Sequence, residues 1–124
     1  MTYIYIDGDN IGLKIEQSFL NNNEDELSVI NLSVIKAIEQ ISSNLKTSGQ
    51  VLLFAGADGV ISKGNLLDIK KLLESIRAID SDFTFSIGVG NSLRDCYIAL
   101  RYAKSVGKNI AIDYSDGRSF KVIK

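Results

Sequence analysis

Two acids, Asp7 and Asp9, flank a glycine where a run of Ile and Tyr stops, in the stretch YIYIDGDNIG at residues 3–12. Asp, Gly and Asn are ordinary turn formers, and acids are also hard oxygen ligands for a divalent cation. A third acid, Asp58, sits in a second glycine-rich turn, GADG at residues 56–59. Carboxylates converging from a strand end and a hairpin tip suit Mg2+, which takes few protein carboxylates and leaves room for phosphate oxygens and water. Two such ions about 3.5–4 Å apart can clamp an in-line phosphoryl displacement, one activating the attacking hydroxyl and one neutralising the triphosphate. Gly8 and Gly12 would let backbone amides approach a phosphate, and a helix starting near Asn10 would aim its free N–H groups at that anion. Gly56 and Gly59 keep the hairpin tip thin enough for a nucleotide to lie against it. Each piece has a plainer reading: DGD as a turn, GADG as a hairpin, Lys104 and Lys108 as solvated lysines near a helix end. The combination is what points to phosphoryl chemistry.

Composition narrows that chemistry. The chain has 124 residues, 14 Lys and Arg against 15 Asp and Glu, and no histidine. Lack of histidine excludes His-based general bases, most catalytic zinc sites and a Ser-His-Asp triad. An enzyme of this sequence works with carboxylates, lysines and metal ions. A formal net charge of -1 is not the broadly basic surface that long nucleic acid requires, so any nucleotide handled is expected to be small. The single cysteine, Cys96, rules out an intrachain disulfide, fits a reducing compartment and reads as a small core residue. The first residues carry neither a basic n-region nor a long apolar run, which predicts a soluble, cytoplasmic chain. The length fits one domain, 1–124, with its own core.

The elements that must position these residues are legible in apolar spacing. Residues 2–7 alternate and are rich in Ile and Tyr, which predicts a strand. LKIEQSFL makes a short helix and NNNEDE a polar break. Residues 27–45 place Leu27, Ile30, Val34, Ala37, Ile38, Ile41 and Leu45 along one helical face, and KTSG stops that helix. QVLLFAGADGVIS, 50–62, reads as two strands joined at GADG. NLLDIKKLLESIRAI is a helix with Leu66, Ile69, Leu73 and Ile76 inward, and FTFSIGVG, 83–90, is a strand. SLRDCYIALRYAKSVGKN follows as a helix, with Ser92 and Asp95 in capping-box spacing and Gly107 at its end. IAIDY and SFKVIK form two short strands around the turn SDGR. This order predicts an α+β fold, ferredoxin-like and palm-type, with helices on one face of a mainly antiparallel sheet. If the first strand pairs with the hairpin, Asp7 and Asp58 become neighbours.

Over nearly all of residues 1–124 the chain resembles the nucleotide cyclase and polymerase palm family, the GGDEF-like domains. Within that family it is most similar to the minimal CRISPR polymerase group (mCpol), stand-alone relatives of the palm in type III CRISPR complexes. YIYIDGDNIG matches the first metal-binding strand, and FAGADGV sits where the family has its GGDEF or GGDD hairpin. SIGVG and YAKSVGKN match the family's SIG strand and its AK-x-x-G-[RK]-N ending. The resemblance implies that Asp7 and Asp58 hold Mg2+ or Mn2+, with the Gly8 carbonyl and Asp9 in support. It also implies that amides around Asn10, Ile11 and Gly12 hold the β- and γ-phosphates and that Lys104 and Lys108 meet the triphosphate. The hairpin tip, Gly56 and Ala57, is counted with the nucleotide-binding positions. Gly59 departs from the pattern, standing where the family carries a second hairpin acid. The residues that read guanine in diguanylate cyclases fall near Ile15 and Glu24, so guanine specificity is not supported and adenine is favoured.

What this implies is a homodimeric cyclic oligonucleotide synthase, ATP to cyclic di-adenylate plus pyrophosphate, in bacterial anti-phage defence, with the product acting on a separate membrane effector. A catalytically inactive palm that binds and senses ATP or a cyclic nucleotide is the alternative, with Gly59 as its main support. A mononucleotide cyclase shares the site and differs in whether the attacking hydroxyl comes from the same nucleotide.

Overall fold

A computed structural model describes residues 1–65 and 67–124; the inward position expected for Leu66 lies outside the described residues. In chain order the elements are β1 (Thr2–Gly8), α1 (Ile11–Leu20), α2 (Glu24–Thr47), β2 (Val51–Gly56), β3 (Gly59–Gly64), α3 (Ile69–Arg77), β4 (Phe85–Gly90), α4 (Leu93–Ser105), β5 (Ala111–Asp113) and β6 (Lys121–Ile123). The six strands form one sheet in the order β2-β3-β1-β4-β5-β6. Pairing is antiparallel except between β4 and β5. β1 therefore lies inside the sheet, between the hairpin strand β3 and β4.

Alternation along β1 separates two faces. Thr2, Ile4 and Ile6 are buried while Tyr3, Tyr5 and Asp7 on the other face are partly exposed, as the period of two requires. Ile4, Ile6, Val60, Ile87 and Val89 join Ile30, Val34, Ile38, Ile41 and Leu45 of α2 and Leu73 and Ile76 of α3 in the main core. α4 packs on the opposite face. Gly88 and Gly90 pair with Tyr5 and Tyr3, and a Cβ on Gly88 would lie 2.3 Å from the Cys96 carbonyl and 2.4 Å from the Leu100 nitrogen.

Helices thus cover both faces, which corrects the one-face arrangement expected from the pattern. The reason is the second face of β4. Its Gly88 and Gly90 carry no apolar side chain to signal burial, yet their small size is what lets the α4 backbone close onto the strand, and all six β4 residues are buried. Gly88→Ala should cost about 1–3 kcal/mol by overpacking and loosen α4. Urea unfolding checks this, and an unchanged midpoint would contradict the close approach.

Helix ends differ from the pattern for local reasons. α2 starts at Glu24 rather than Leu27, because the Asn23 side chain accepts from the Glu26 N–H and three acids occupy the first turn, where the helix dipole favours negative charge. α3 begins at Ile69, capped by Asp68 through the Lys71 N–H. α4 begins after Ser92, whose hydroxyl accepts from the Asp95 N–H. Cys96 is buried in α4 and its thiol is pushed up to about 11 by that burial, the state of an inert core residue. Among the described residues no helix is long and apolar enough to cross a membrane.

Candidate active site

The site forms where β1 ends. Asp7 is the register partner of Gly59 at the start of β3, and the Gly8 N–H donates to the Asp58 carbonyl at 2.9 Å. Strand end and hairpin tip are therefore tied together, and Asp7 and Asp58 are neighbours. The tip itself is tight: Ala57 takes φ 50°, a left-handed conformation that costs a residue with a Cβ. Burial pushes the Asp7 carboxyl above its usual range; Lys104 pulls it back and Asp58 pushes it up again, and the net shift is upward.

Asp9, two residues on, has a different role. Its Oδ1 accepts from the Ser86 hydroxyl at 2.7 Å and from Lys104 Nζ at 2.8 Å. Its Oδ2 accepts from the Thr84 hydroxyl at 2.7 Å and from the Asn109 N–H at 3.0 Å. All four lone-pair positions of the carboxylate are filled by protein donors, leaving none for a metal ion. Burial alone would raise its pKa, but the hydrogen bonds from Lys104, Thr84 and Ser86 outweigh it and the net shift is downward. The supporting metal role expected for Asp9 gives way to a positioning role, because Thr84 and Ser86 on and beside β4 reach it first.

α4 delivers the cations. It ends in a turn in which the Lys108 N–H donates to the Ala103 carbonyl at 3.0 Å, with Gly107 at φ 136°, the Schellman arrangement that glycine allows. Lys108 and Asn109 continue left-handed at φ 65° and 51°, and that path sets the Asn109 N–H under Asp9. Arg77 of α3 braces the turn through Nε to Asn109 Oδ1 at 3.2 Å and Nη2 to the Asn109 carbonyl at 2.5 Å. Lys104 Nζ donates to the carbonyl of Gly8 at 2.7 Å and lies 3.2 Å from Asp7 Oδ2. Lys108 Nζ donates to Asn10 Oδ1.

Asn10 is the N-cap of α1, at φ 62° and ψ 18°, and its side chain does not cap the helix. The first α1 bond joins the Lys14 N–H to the Asn10 carbonyl, so the amides of Ile11, Gly12 and Leu13 have no partner within the helix. A Cβ at Gly12 would meet nothing within 4 Å. Beside this end lies a cavity of about 590 Å³ bounded by α1, α2 and the hairpin tip, with Ile11, Gly12, Ile15, Leu27, Val34, Ala57 and Asp58 among its lining. Ser28 and Asn31 are its further polar side chains. It is an apolar slot with an acid and uncapped amides at its mouth, which suits a flat base carrying phosphates.

The structure brings together Asp7, Gly8, Asp58, Asn10, Ile11, Gly12, Lys104 and Lys108, with Ala57 on the cavity wall. Gly56 faces the Phe54 ring. Ile15 reaches the cavity, whereas Glu24 is not among its lining residues. Sequence reasoning missed Thr84, Ser86 and Asn109, which hold Asp9, Arg77, which braces Asn109, and Ser28 and Asn31 in the cavity. For a divalent ion, the available acids are Asp7 and Asp58; among the described residues no cluster of three acids or thiols forms. Asp7 Oδ1 looks onto the space over Gly59, where a Cβ would lie 3.0 Å away. Two carboxylates suit a hard cation shared with phosphate oxygens.

The chain matches the mCpol family model, the minimal CRISPR polymerase domain, over residues 3–114. No curated protein sequence matches it. Among solved structures it is similar to an EAL/GGDEF domain protein from M. capsulatus at 20% identity and TM-score 0.63, over 92% of this chain and 84% of that one. A diguanylate cyclase/phosphodiesterase from Caldicellulosiruptor saccharolyticus is similar at 19% identity and TM-score 0.60, over 97% and 78%. The monomeric guanylyl cyclase domain of the RhoGC fusion protein from the aquatic fungus Blastocladiella emersonii is similar at 10% identity and TM-score 0.60, over 90% and 78%. At these identities the likeness is one of fold, the palm with its six-stranded, mostly antiparallel sheet.

Proposed function

Because the chain belongs to the mCpol family of minimal CRISPR polymerase domains, a nucleotide cyclase and polymerase type of palm, we propose that it is a cyclic oligonucleotide synthase acting on ATP. The observation that carries this reading is the tie between the end of β1, which carries Asp7, and the hairpin tip, whose Asp58 lines an apolar cavity next to the uncapped N-terminus of α1. Adenine enters the cavity, where the Asn31 carboxamide offers the paired donor and acceptor that adenine takes. The triphosphate lies along the amides of Ile11 and Gly12, with Lys108 beside Asn10. Asp7 and Asp58 would hold Mg2+ or Mn2+, which when bound polarises phosphoryl oxygens and makes a hydroxyl more acidic.

A ribose hydroxyl oxygen of one ATP bonds to the α-phosphorus of the other. The bond from that phosphorus to the bridging oxygen breaks, pyrophosphate leaves with the electron pair, and the hydroxyl proton passes to water. A second such step closes a cyclic di-adenylate. One cavity holds one triphosphate, so ring closure calls for two sites face to face, and a C2 homodimer is the simplest way to provide them. The product would act in anti-phage defence on a separate membrane effector, and the enzyme itself would work in the cytoplasm without long nucleic acid.

Gly59 favours a second reading, a palm that binds ATP or a cyclic nucleotide as a sensor. Purified protein incubated with each ribonucleoside triphosphate, singly and mixed, with Mg2+ or Mn2+, separates the two by chromatography and mass spectrometry of the products. Cyclic di-adenylate from ATP alone is the expected result, lost in Asp58→Ala. Metal-dependent ATP binding with no product would establish the sensor.

A further inference from the structure

Register partners across a sheet carry their side chains on one face, so the pairing resolves the face that holds Asp7 into three rows. Val51, Lys63 and Tyr3 form one, Phe54, Ile61 and Tyr5 the next, and Gly56, Gly59 and Asp7 the last. Each row continues into β4, at Gly90, Gly88 and Ser86, and there α4 closes over it. α4 contacts β4, β1 and β5, while α1, α2 and α3 send their apolar residues into the core on the other face. Among the described residues, no helix is seated on the Asp7 face of β3 and β2.

The uncovered rows are apolar. Val51 is 58% and Phe54 56% exposed, and Ile61, Tyr3 and Tyr5 are half-buried. α4 raises a wall beside this floor: Leu93, Tyr97, Arg101 and Lys104 recur on one stripe of the helix, and Lys104 of that stripe reaches Asp7. Leu93 and Tyr97 are each 53% exposed. The two edges of the sheet also differ. β6 is three residues, with Lys121 at one end and Lys124 just beyond the other, a short and charged edge. β2 is six residues, VLLFAG, with no charge, the kind of edge that proteins cover. A bulge between Leu52 and Phe54 disrupts its ladder and works against strand addition, which leaves the face as the surface to be covered.

We infer that a second copy of this chain covers the bare half-sheet, docked face to face about a two-fold axis that runs along the strands. Floor and wall make a step, and a step fits itself about such an axis. The rotation sets the two walls on opposite sides, so that Leu93 and Tyr97 of each copy lie on Val51 and Phe54 of the other. An axis across the strands would set wall against wall and hold the floors apart. Charge agrees with the first arrangement: Arg101, exposed on the wall one turn beyond Tyr97, comes beside the partner's hairpin tip, where Asp58 sits. The interface is isologous and closed, as in most homodimers. The same axis keeps each chain at its own level along the strands, so the two ends that carry Asp7 face each other. In this the inference deepens the synthase reading and rests on it, since one chain holds one triphosphate and closing a ring takes two.

Sedimentation velocity of the full chain, with and without ATP, tests the surface. Wild type should sediment as a dimer, and Phe54→Glu and Tyr97→Glu should each raise its dissociation constant roughly 30-fold or more, the scale of an aromatic hot spot. Val122→Glu, on the exposed β6 edge, should leave the dimer intact. Orientation is read by mixing Leu93→Cys with Val51→Cys, which should give a disulfide-linked pair that neither variant gives alone; should a charged variant fail to fold, this pair decides. A wild-type chain that stays monomeric with and without ATP leaves the face to another partner and overturns the inference. So does a dimer that both charged variants leave intact, or a disulfide in Val51→Cys unmixed. A monomer that makes cyclic product refutes the interface and leaves the synthase standing. A dimer lost in Phe54→Glu, with no product from ATP in wild type, keeps the interface and refutes the synthase reading.

Discussion

Asp9→Ala should cost about 2–4 kcal/mol of folding stability, because buried donors left without their acceptor cost about 1–3 kcal/mol each. Asp9 is 4% exposed and ends four hydrogen bonds, from Ser86, Thr84, Lys104 and the Asn109 amide. Its loss takes the acceptor from the Thr84 and Ser86 hydroxyls where β1, β4 and the turn after α4 meet, while Lys104 keeps Asp7 and the Gly8 carbonyl and the Asn109 N–H keeps the Ser86 hydroxyl. Asn in its place should also be destabilising, since a carboxamide has a single acceptor oxygen and would turn an NH2 toward two of those donors.

The pH dependence follows from the lowered Asp9 pKa. A carboxyl whose folded pKa lies below its unfolded value stabilises the fold above the unfolded pKa, and that contribution is lost as pH falls through the folded one. Wild type should therefore lose part of its stability below about pH 4, and Asp9→Asn should lose less over the same range. Urea unfolding at pH 7 and at pH 3 measures both. An Asp9→Ala protein within 1 kcal/mol of wild type at pH 7, an order-of-magnitude threshold for one ordinary hydrogen bond, would remove Asp9 from the centre of the network.

Asp7 and Asp9 show how far the sequence could be read. The meeting of Asp7 with Asp58 was legible, because an apolar strand and an Asp-Gly hairpin have few ways to share a sheet once β1 lies beside β3. The difference between the two acids was not. Both stand in DGD, and what separates them is Thr84 and Ser86, 75 and 77 residues away, together with a turn whose left-handed Lys108 and Asn109 carry no strong residue signal. Gly107 marked the end of α4 but not the direction the chain takes after it. α4 itself was legible as a helix, while the face it covers was not, since Gly88 and Gly90 carry no side chain to signal that a helix backbone lies on them. The cavity was hidden for a related reason: Leu27 looked like one more core position of α2, whereas it lines the cavity with Asn31 and Ile15 of α1.

Asp7→Asn is expected to separate function from stability in opposite directions. Product formation should fall roughly 10³-fold or more, since charge stabilisation by a bound metal is worth several kcal/mol and each 1.36 kcal/mol is about tenfold in rate. The same substitution should stabilise the fold by about 0.5–2 kcal/mol, the usual range when a strained functional group is relieved. Burial, with Asp58 adding to it, keeps the folded Asp7 pKa above its ordinary value despite Lys104. For an acid that shift means the fold prefers the protonated form, so the charge works against folding as pH rises through the window between the unfolded and folded pKa. The gain in Asp7→Asn should therefore be largest near neutral pH and shrink toward pH 3, the reverse of the trend for Asp9. Lys104 keeps its bonds to the Gly8 carbonyl and to Asp9 Oδ1 in the variant, so its charge is not stranded. Thermal unfolding at pH 7 and pH 3 beside the product assay gives the answer. A variant that loses product and also loses stability at neutral pH would mean that Asp7, like Asp9, is held for the fold.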